Sequence, residues 1–371
     1  MAEVPSKINT WHMVEPGDPK AEKPGKFEQT SVPVPELKPG QVLVKVAGCG
    51  VCHTDLGYFY DGVPTVQKPP LALGHEISGT VVAGDENWIG KEVIIPAVMP
   101  CRQCELCKIG RGNRCLNQSM PGNSMGIYGG HADYIPVPSV DLCEVKTRKT
   151  VDGNEIPLSH LSVVADAMTT PFQACKRAGV VPGDRVIVIG CTGGVGVHQT
   201  QMVKAFGASV VIGIARSEEK LKRSLDYGAD FTISSADKSA KDIRNEFRNL
   251  CKENGFPDRY GWKIFEVTGT KAGQDMALQL LQFTSKLMVV GFGPSTNEYA
   301  ISRLMAFDSE IVGTWGCLPE YYPIVLDMIL KNKIALEPFV ETRPMSQMPQ
   351  ILDEVHSAGS PSKRIVLTPD F

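Results

Sequence analysis

The feature that most constrains the fold of this sequence is an apolar run that leads directly into a cluster of glycines. Residues 185–189 read Arg-Val-Ile-Val-Ile, a continuous run of the kind buried on both faces of a parallel sheet. Residues 190–196 read Gly-Cys-Thr-Gly-Gly-Val-Gly, and a helical pattern and a second apolar run, residues 209–214, follow. This order predicts a strand-helix-strand unit of an α/β protein.

The glycines of this turn suit the binding of a dinucleotide. Because glycine has no side chain, the backbone can approach a pyrophosphate, which then lies against the N-terminus of the next helix. The flanking strand and helix are the context that such a turn requires. A tight turn in some other α/β protein is the alternative. The glycines predicted to contact the cofactor are Gly190, Gly193, Gly194 and Gly196.

The end of the next strand bears on which dinucleotide binds. An acidic residue there binds the ribose 2′-hydroxyl of NAD, whereas an arginine accommodates the 2′-phosphate of NADP. The chain has Ala215 and Arg216 at this point and no acid before Glu218. Taken alone, this favours NADP. The alternative is that Arg216 is a solvated loop residue beside the adenosine.

The alternation of strands and helices continues along the chain and defines the expected domains. Further strands are predicted at residues 230–233, 262–267, 286–290 and 364–367. The region before residue 165 is instead rich in Gly and Pro, with short alternating runs such as residues 92–95, and is typical of a mostly β domain. We expect this mostly β domain over residues 1–165, a parallel-sheet domain over 166–317, and a return to the first domain over 318–371.

Four of the eleven cysteines lie close together in a polar segment. They are Cys101, Cys104, Cys107 and Cys115. Four thiols in one loop can converge on a tetrahedral ion, and an all-thiolate set suits zinc. Because four protein ligands leave no open position, the predicted site is structural; an iron-sulfur cluster is the competing interpretation. The odd total argues against a complete disulfide framework and for a reducing compartment.

A second candidate set is dispersed along the chain. Cys52, His75 and Asp166 would supply a thiolate, an imidazole and a carboxylate, the three protein ligands that a catalytic zinc needs beside an open position. Spacing alone supports this only weakly. His75 could be a satisfied core histidine, and Cys49 and Cys52 could be a redox pair or two buried thiols.

Charge and hydropathy exclude several classes of protein. The net charge of −3 lacks the basic excess that nucleic-acid binding requires, so no nucleic-acid partner is expected. No apolar run approaches the roughly 20 residues that span a bilayer, and no signal-peptide core is visible near the N-terminus. We expect a cytoplasmic protein without a membrane partner.

Together these segments resemble the zinc-containing medium-chain alcohol dehydrogenases over essentially the whole chain. The matching motifs are Gly50-Val-Cys52-His-Thr54-Asp55, Gly74-His75-Glu76, the four-cysteine loop, Asp166-Ala-Met-Thr-Thr170, the glycine turn and Ser362-Lys-Arg364. The resemblance implies an α/β fold with a Rossmann doubly wound parallel sheet and a mostly β, GroES-like catalytic domain. It also implies two zinc ions per chain, NAD as the hydride acceptor, and a homodimer or homotetramer.

The resemblance implies roles for residues at the zinc site. Cys52, His75 and Asp166 are similar to the ligands of the family's catalytic zinc. Asp55 and Glu76 resemble carboxylates that orient such ligands.

Further roles concern the cofactor and the proton. Thr54 resembles the hydroxyl that passes on the substrate proton. His53 and Arg364 lie where the family places residues near the cofactor pyrophosphate. Thr170 and Val195 lie where it places neighbours of the nicotinamide.

Three positions depart from the family pattern. Asp166 stands where many members have cysteine, so we expect the affinity for zinc or the electrophilicity of the ion to differ. Gly57 stands where some members have a relay histidine, so protons must leave by another route, with water and the ribose hydroxyls of the cofactor as the candidates. Ala215 stands where NAD-dependent relatives have an acidic residue.

Several longer stretches resemble family members that oxidise a hydroxyl of a cyclic acyl-CoA thioester with NAD. They lie at residues 95–101, 120–123, 261–266, 269–274, 304–308 and 315–320. We therefore expect NAD, with NADP as the alternative, and a CoA thioester as the small-molecule substrate. Cations available for the CoA phosphates are Arg102, Lys108, Arg111, Arg114 and Arg303, although a solvated face explains them equally. Conjugate hydride addition to an enoyl-CoA in the same site and a non-enzymatic zinc- and nucleotide-binding protein stay open as alternatives.

Overall fold

The computed structural model describes residues 4–358 and 362–371, and its contacts divide the chain into two units. The first unit comprises residues 1–169, 316–332 and 336–371, and the second comprises 170–315 and 333–335. The sequence places the boundary before Asp166, whereas the structure places Asp166 in the first unit. The reason is that the 3-10 helix Leu158–Ala165, directly before it, packs against the main sheet of the first unit.

The helices and strands are as follows. The strands are β1 (Lys7–Glu15), β2 (Lys26–Pro33), β3 (Gln41–Gly50), β4 (Leu71–Ala72), β5 (Glu76–Gly84), β6 (Glu92–Ile95), β7 (Tyr134–Pro138), β8 (Cys143–Glu144), β9 (Arg185–Ile189), β10 (Val210–Ala215), β11 (Phe231–Ser234), β12 (Trp262–Glu266), β13 (Lys286–Val289), β14 (Glu310–Gly313), β15 (Val340–Pro344) and β16 (Arg364–Thr368). The α-helices are α1 (His53–Phe59), α2 (Glu105–Lys108), α3 (Thr169–Ala178), α4 (Gly196–Ala205), α5 (Glu218–Leu225), α6 (Ala240–Glu253), α7 (Lys271–Leu280), α8 (Ser302–Phe307), α9 (Tyr322–Leu330) and α10 (Met348–Ala358). Other 3-10 helices are Gly112–Arg114, Pro319–Tyr321, Glu337–Phe339 and Met345–Gln347. Among the described residues, no helix combines the length and apolar character that crossing a membrane requires.

The first unit is mostly β, as the sequence predicts. Its main sheet has the strand order β15-β16-β3-β5-β6-β8, with β7 also paired to β3, and a smaller sheet has the order β2-β1-β4. Val44, Ile77 and Ile95 lie in the buried core of this unit. Two antiparallel registers matter for function, because Gly50 of β3 lies opposite both Glu76 of β5 and Val366 of β16. They bring the end of β3 and the beginnings of β5 and β16 to the same end of the sheet.

The second unit is the parallel α/β unit that the glycine turn predicts. Its strand order is β11-β10-β9-β12-β13-β14, and each neighbouring pair is parallel. Numbered from β9, this is the order 3-2-1-4-5-6 of a doubly wound dinucleotide-binding sheet, which confirms the Rossmann prediction. From β9 the chain first adds strands on one side of the sheet, β10 and β11, and then returns to add β12, β13 and β14 on the other side. The point where this order reverses lies between β9 and β12. Ligands of such sheets bind beyond the carboxyl ends of the strands at this point.

Candidate metal and cofactor sites

The four cysteines between residues 101 and 115 converge in the structure. Their sulfur atoms all lie within 4.8 Å of one another, with Cys104 Sγ 3.4 Å from Cys107 Sγ and 3.8 Å from Cys115 Sγ. A tetrahedral zinc with Zn–S bonds of about 2.3 Å places its sulfur atoms roughly 3.8 Å apart. The donor set and spacing therefore fit a zinc ion with no open coordination position.

Backbone amides point at these sulfur atoms. The N–H of Cys101 donates to Cys115 Sγ at 3.2 Å, the N–H of Cys104 to Cys101 Sγ at 3.4 Å, and the N–H of Asn117 to Cys115 Sγ at 3.3 Å. Backbone hydrogen bonds lower the pKa of Cys104 to about 6. Burial, together with the neighbouring thiols, raises the pKa of Cys107 to about 12. Because four thiolates at this distance repel one another, a divalent cation is what allows them to ionise together.

The second cluster takes its groups from separate segments of the first unit. Cys52 is the N-cap of α1, His75 directly precedes β5, and Asp166 follows the 3-10 helix Leu158–Ala165. The ligand atoms of these residues and of Glu76 all lie within 4.8 Å of one another. Cys52 Sγ and His75 Nε2 are each 3.7 Å from Asp166 Oδ2. One ion at roughly 2.0–2.3 Å from each of three ligands fits this spacing and keeps a fourth position open.

Asp55 fastens the two segments that carry Cys52 and His75. Its buried carboxylate accepts the N–H of Cys52 at 3.2 Å and the N–H of Gly74 at 3.0 Å, and its Oδ1 lies 3.6 Å from His75 Nδ1. Burial raises the pKa of Asp55, but His75, His131 and the Gly74 amide outweigh burial and hold this pKa below its ordinary value. A carboxylate that stays charged here suits the orientation of an imidazole ligand.

Glu76 is held by an ion pair that the sequence does not reveal. Arg364 Nε donates to Glu76 Oε2 at 3.0 Å and Arg364 Nη2 donates to Glu76 Oε1, although the two residues lie 288 positions apart. Both side chains are buried. Glu76 therefore borders the cluster of ligand atoms while its two oxygens bind a guanidinium. The contact of Arg364 with a cofactor pyrophosphate stays a prediction.

Two further side chains lie beside the second cluster. Thr54 Oγ1 is 3.6 Å from Cys52 Sγ, so its hydroxyl lies where it can serve a group bound near that sulfur. His131 is fully buried, and within the described residues neither of its ring nitrogens has a hydrogen-bond partner. Sequence reasoning missed His131, because an isolated histidine in a loop carries no signal of its own. His53, in contrast, is exposed, and its role near the cofactor stays a prediction.

The glycine turn of the second unit has the geometry that the sequence predicts. Gly190 has φ of +87°, and it follows β9 directly. A side chain on Gly196 would lie 1.9 Å from the carbonyl oxygen of Gly190, so glycine is required there. The N–H of Gly193 donates to the same oxygen at 3.0 Å. The turn ends at Val195, the N-cap of α4, which places a helix N-terminus at the carboxyl end of the central strand.

The end of β10 leaves the choice of dinucleotide open. Ala215, the last residue of β10, is buried, and Arg216 is exposed. Ser217 caps α5 by accepting the N–H of Lys220, and Glu218 begins that helix. Between the end of β10 and Glu218, no residue carries a carboxylate that could bind a ribose. Thr170, the other predicted nicotinamide neighbour, begins the second unit within α3.

Family models match both parts of the chain. Residues 38–147 match the model "Alcohol dehydrogenase GroES-like domain", and residues 194–331 match "Zinc-binding dehydrogenase". The first match contains Cys52, His75 and the four-cysteine loop, and the second begins inside the glycine turn.

Individual relatives cover most of the chain. The NAD-dependent alcohol dehydrogenase of Sulfolobus acidocaldarius is 35% identical over 312 residues, which is 81% of this chain and 85% of that protein. The sorbitol dehydrogenase of Bombyx mori is 28% identical over 342 residues, 89% of this chain and 92% of that protein. Among solved structures, acetophenone reductase from Geotrichum candidum in complex with NAD has a TM-score of 0.82 at 25% identity, covering 99% of this chain and 98% of the other.

Proposed function

Since this chain belongs to the zinc-containing alcohol dehydrogenase family, whose members are oxidoreductases acting on CH–OH groups with NAD(P), we propose that it oxidises a secondary alcohol to a ketone with NAD. The observation that carries this proposal is the second cluster. A thiolate, an imidazole and a carboxylate from three segments of the first unit converge with the spacing of ligands to one ion. Without a bound ion, the placement of the buried His75 beside Glu76 and Asp166 would have no functional explanation.

In this function, Cys52, His75 and Asp166 would hold the catalytic zinc, and Cys101, Cys104, Cys107 and Cys115 the structural zinc. When bound at the first of these sites, zinc supplies Lewis-acid chemistry that lowers the pKa of a substrate hydroxyl.

The chain's own residues prepare the rest of the reaction. Asp55 fixes the Cys52 and Gly74 backbones and thereby orients the two ligand segments. Thr54 receives the hydroxyl proton of the alcohol. The glycine turn and the N-terminus of α4 hold the cofactor diphosphate, with His53 and Arg364 as further contacts, and Thr170 and Val195 border the nicotinamide.

For the substrate, we propose 6-hydroxycyclohex-1-ene-1-carbonyl-CoA, which would be oxidised to the 6-oxo thioester during anaerobic degradation of aromatic compounds. The support is the resemblance of the longer stretches, such as residues 261–266 and 315–320. Because this thioester is α,β-unsaturated, hydride addition to the enoyl-CoA is a second reaction that the same site could perform. The three relatives described above are named for an alcohol, for sorbitol and for acetophenone.

We also propose that the protein is a homodimer or a homotetramer. The supporting observation is β14, the last strand in the sheet order of the second unit. Ile311 on this strand and Ile301 and Met305 near it are exposed apolar side chains. An unpaired sheet edge beside apolar side chains is a surface that a second copy can cover. The mass of the protein in solution, measured by light scattering, tests this: a monomer would contradict it.

The function is tested by incubating the purified protein with NAD or NADP and a panel of alcohols while recording the absorbance of reduced nicotinamide. The panel contains cyclohexanol, sorbitol and 6-hydroxycyclohex-1-ene-1-carbonyl-CoA. We expect the highest kcat/KM with NAD and the CoA thioester. Turnover of the simple alcohols alone would overturn the substrate, and no turnover of any alcohol would overturn the dehydrogenase. Enoyl-CoA reduction that survives removal of zinc, while alcohol oxidation is lost, would identify conjugate addition as a second activity.

A further inference from the structure

The helix that begins at His53 carries a carboxylate beyond its end, and we propose that Asp61 accepts the proton that Thr54 takes from the alcohol. The proposal rests on the proposed function, because a proton is released only when an alcohol is oxidised. Asp61 acts through Thr54 and does not touch the substrate.

Thr54, Gly57 and Asp61 lie on one face of this helix. Their spacing of three and seven residues places their Cα–Cβ directions in one row. The helical turn continues as far as Asp61, whose N–H donates to the carbonyl oxygen of Gly57 at 3.1 Å. A side chain on Gly57 would begin 4.0 Å from Asp61 Oδ2 and 3.4 Å from Val63 Cγ2. The Asp61 carboxylate therefore lies over Gly57, on the side that leads away from Thr54.

Exposure increases along this row. Thr54 and Gly57 are half-buried and Asp61 is exposed. Over residues 4–358 and 362–371, no hydrogen bond or ion pair engages the carboxylate of Asp61, so its oxygens are available to water. Because Thr54 and Asp61 are seven residues apart and a helix rises about 1.5 Å per residue, roughly 10 Å separates them along the helix, a gap that a chain of two or three hydrogen-bonded water molecules would span.

The proton and the electrons then follow separate routes. The C–H bond of the carbinol carbon breaks, and its electron pair moves as a hydride to NAD, which is reduced. The O–H bond breaks as the C=O bond forms, and its proton passes to Thr54 Oγ1 while the proton of Thr54 moves on towards Asp61. Asp61 releases it to bulk solvent, so one alcohol and one NAD⁺ yield one ketone, one NADH and one proton.

The experiment compares Asp61→Asn with Asp61→Glu and with Glu86→Gln, which neutralises an exposed acid of the same unit that follows the end of β5 opposite to Glu76. Each is assayed with NAD and with the panel alcohol that the wild type oxidises fastest. We expect Asp61→Asn to lower kcat about tenfold or more, in the lower part of the range for proton transfer, with the KM for NAD and the zinc content unchanged. Asp61→Glu and Glu86→Gln should keep most of the activity. Added imidazole should restore kcat in Asp61→Asn and leave the wild type unaffected.

A second variant separates proton transfer from structure. Gly57 lacks a positive φ and has room for a side chain, so Gly57→His in the Asp61→Asn background places an imidazole on the same face and should recover activity without added imidazole. Unchanged kcat in Asp61→Asn would overturn the route while leaving the dehydrogenase intact. A loss of kcat that neither imidazole nor Gly57→His restores would mean that Asp61 has a structural role, and would also overturn it. An inactive wild type would overturn the dehydrogenase itself, and the route with it.

Discussion

The loop between Cys101 and Cys115 and the cluster of Cys52, His75 and Asp166 reach a similar spacing of ligand atoms by different means. The loop takes its thiols from one short segment, and α2 within it has no buried residue. The cluster takes its groups from three segments that the sheet of the first unit brings together. The loop therefore has little apolar core of its own, whereas the cluster is built on strands that are buried already.

Because of this difference, we expect the loop to affect mainly the stability of the protein and the cluster to affect mainly its activity. A segment without a core depends on its metal for a fixed structure, as small zinc domains do. The segments of the cluster are held by strand register, by Asp55 and by the pair of Glu76 and Arg364. We therefore expect them to keep their positions without an ion. We expect damage to the loop to unfold part of the chain, and damage to the cluster to abolish turnover in a folded protein.

The largest effect is expected for Cys115→Ser, which removes one thiol of the loop. We predict the loss of one zinc ion per chain and a fall in the free energy of unfolding of about 5 kcal/mol, part of the roughly 10–16 kcal/mol by which zinc stabilises zinc-finger peptides. Elemental analysis and urea unfolding measure the two quantities. Cys143→Ser, in a buried cysteine outside both clusters, is the matched control. Equal zinc content and stability in the two variants would contradict the proposal that the four-cysteine loop depends on its metal for a fixed structure.

The next largest effect concerns the buried pair beside the cluster. Arg364→Met leaves Glu76 buried without its partner, which should lower the free energy of unfolding by about 3–5 kcal/mol. Lys331→Met breaks an exposed pair with Asp327 and should change little. Adding Glu76→Gln to Arg364→Met should recover part of the loss. If both single variants unfold at the same urea concentration, the pair does not hold this end of the sheet together.

A smaller free-energy change, confined to activity, is expected for Asp166→Ala. Turnover should fall at least ~100-fold, which corresponds to about 2.7 kcal/mol of activation free energy, while the urea midpoint stays near that of the wild type. Asp166→Cys, which supplies the ligand that many family members use, should keep much more of the turnover. Steady-state kinetics decide the matter: wild-type turnover by Asp166→Ala with zinc still bound would exclude Asp166 as a ligand.

The features predicted best from the sequence are those formed by residues that are close together in the chain. The apolar runs at residues 92–95 and 185–189 are β6 and β9 with the same bounds, because each is a continuous buried strand. The four-cysteine loop was also evident, since its ligands are close in the chain. β14 was missed, because three of its four residues are exposed and its pattern lacks a long apolar run.

The dispersed cluster could not be derived from spacing. Spacing indicated Cys52, His75 and Asp166 only weakly, and the resemblance to a family strengthened that prediction. Strand register and the packing of the 3-10 helix Leu158–Ala165, not sequence distance, bring these residues together. The contact of Glu76 with Arg364 and the burial of His131 were beyond the sequence for the same reason. The contacts divide the chain a few residues after the predicted boundary at Asp166, because the preceding 3-10 helix packs on the first unit.

The central claim is that one chain holds two zinc ions at sites of different construction, one open and one closed. The zinc content of the purified protein, measured by elemental analysis against protein concentration, tests this claim most directly. We expect two zinc ions per chain. A single zinc ion per chain would remove one of the two sites, and an absence of zinc from an active dehydrogenase would contradict the account as a whole.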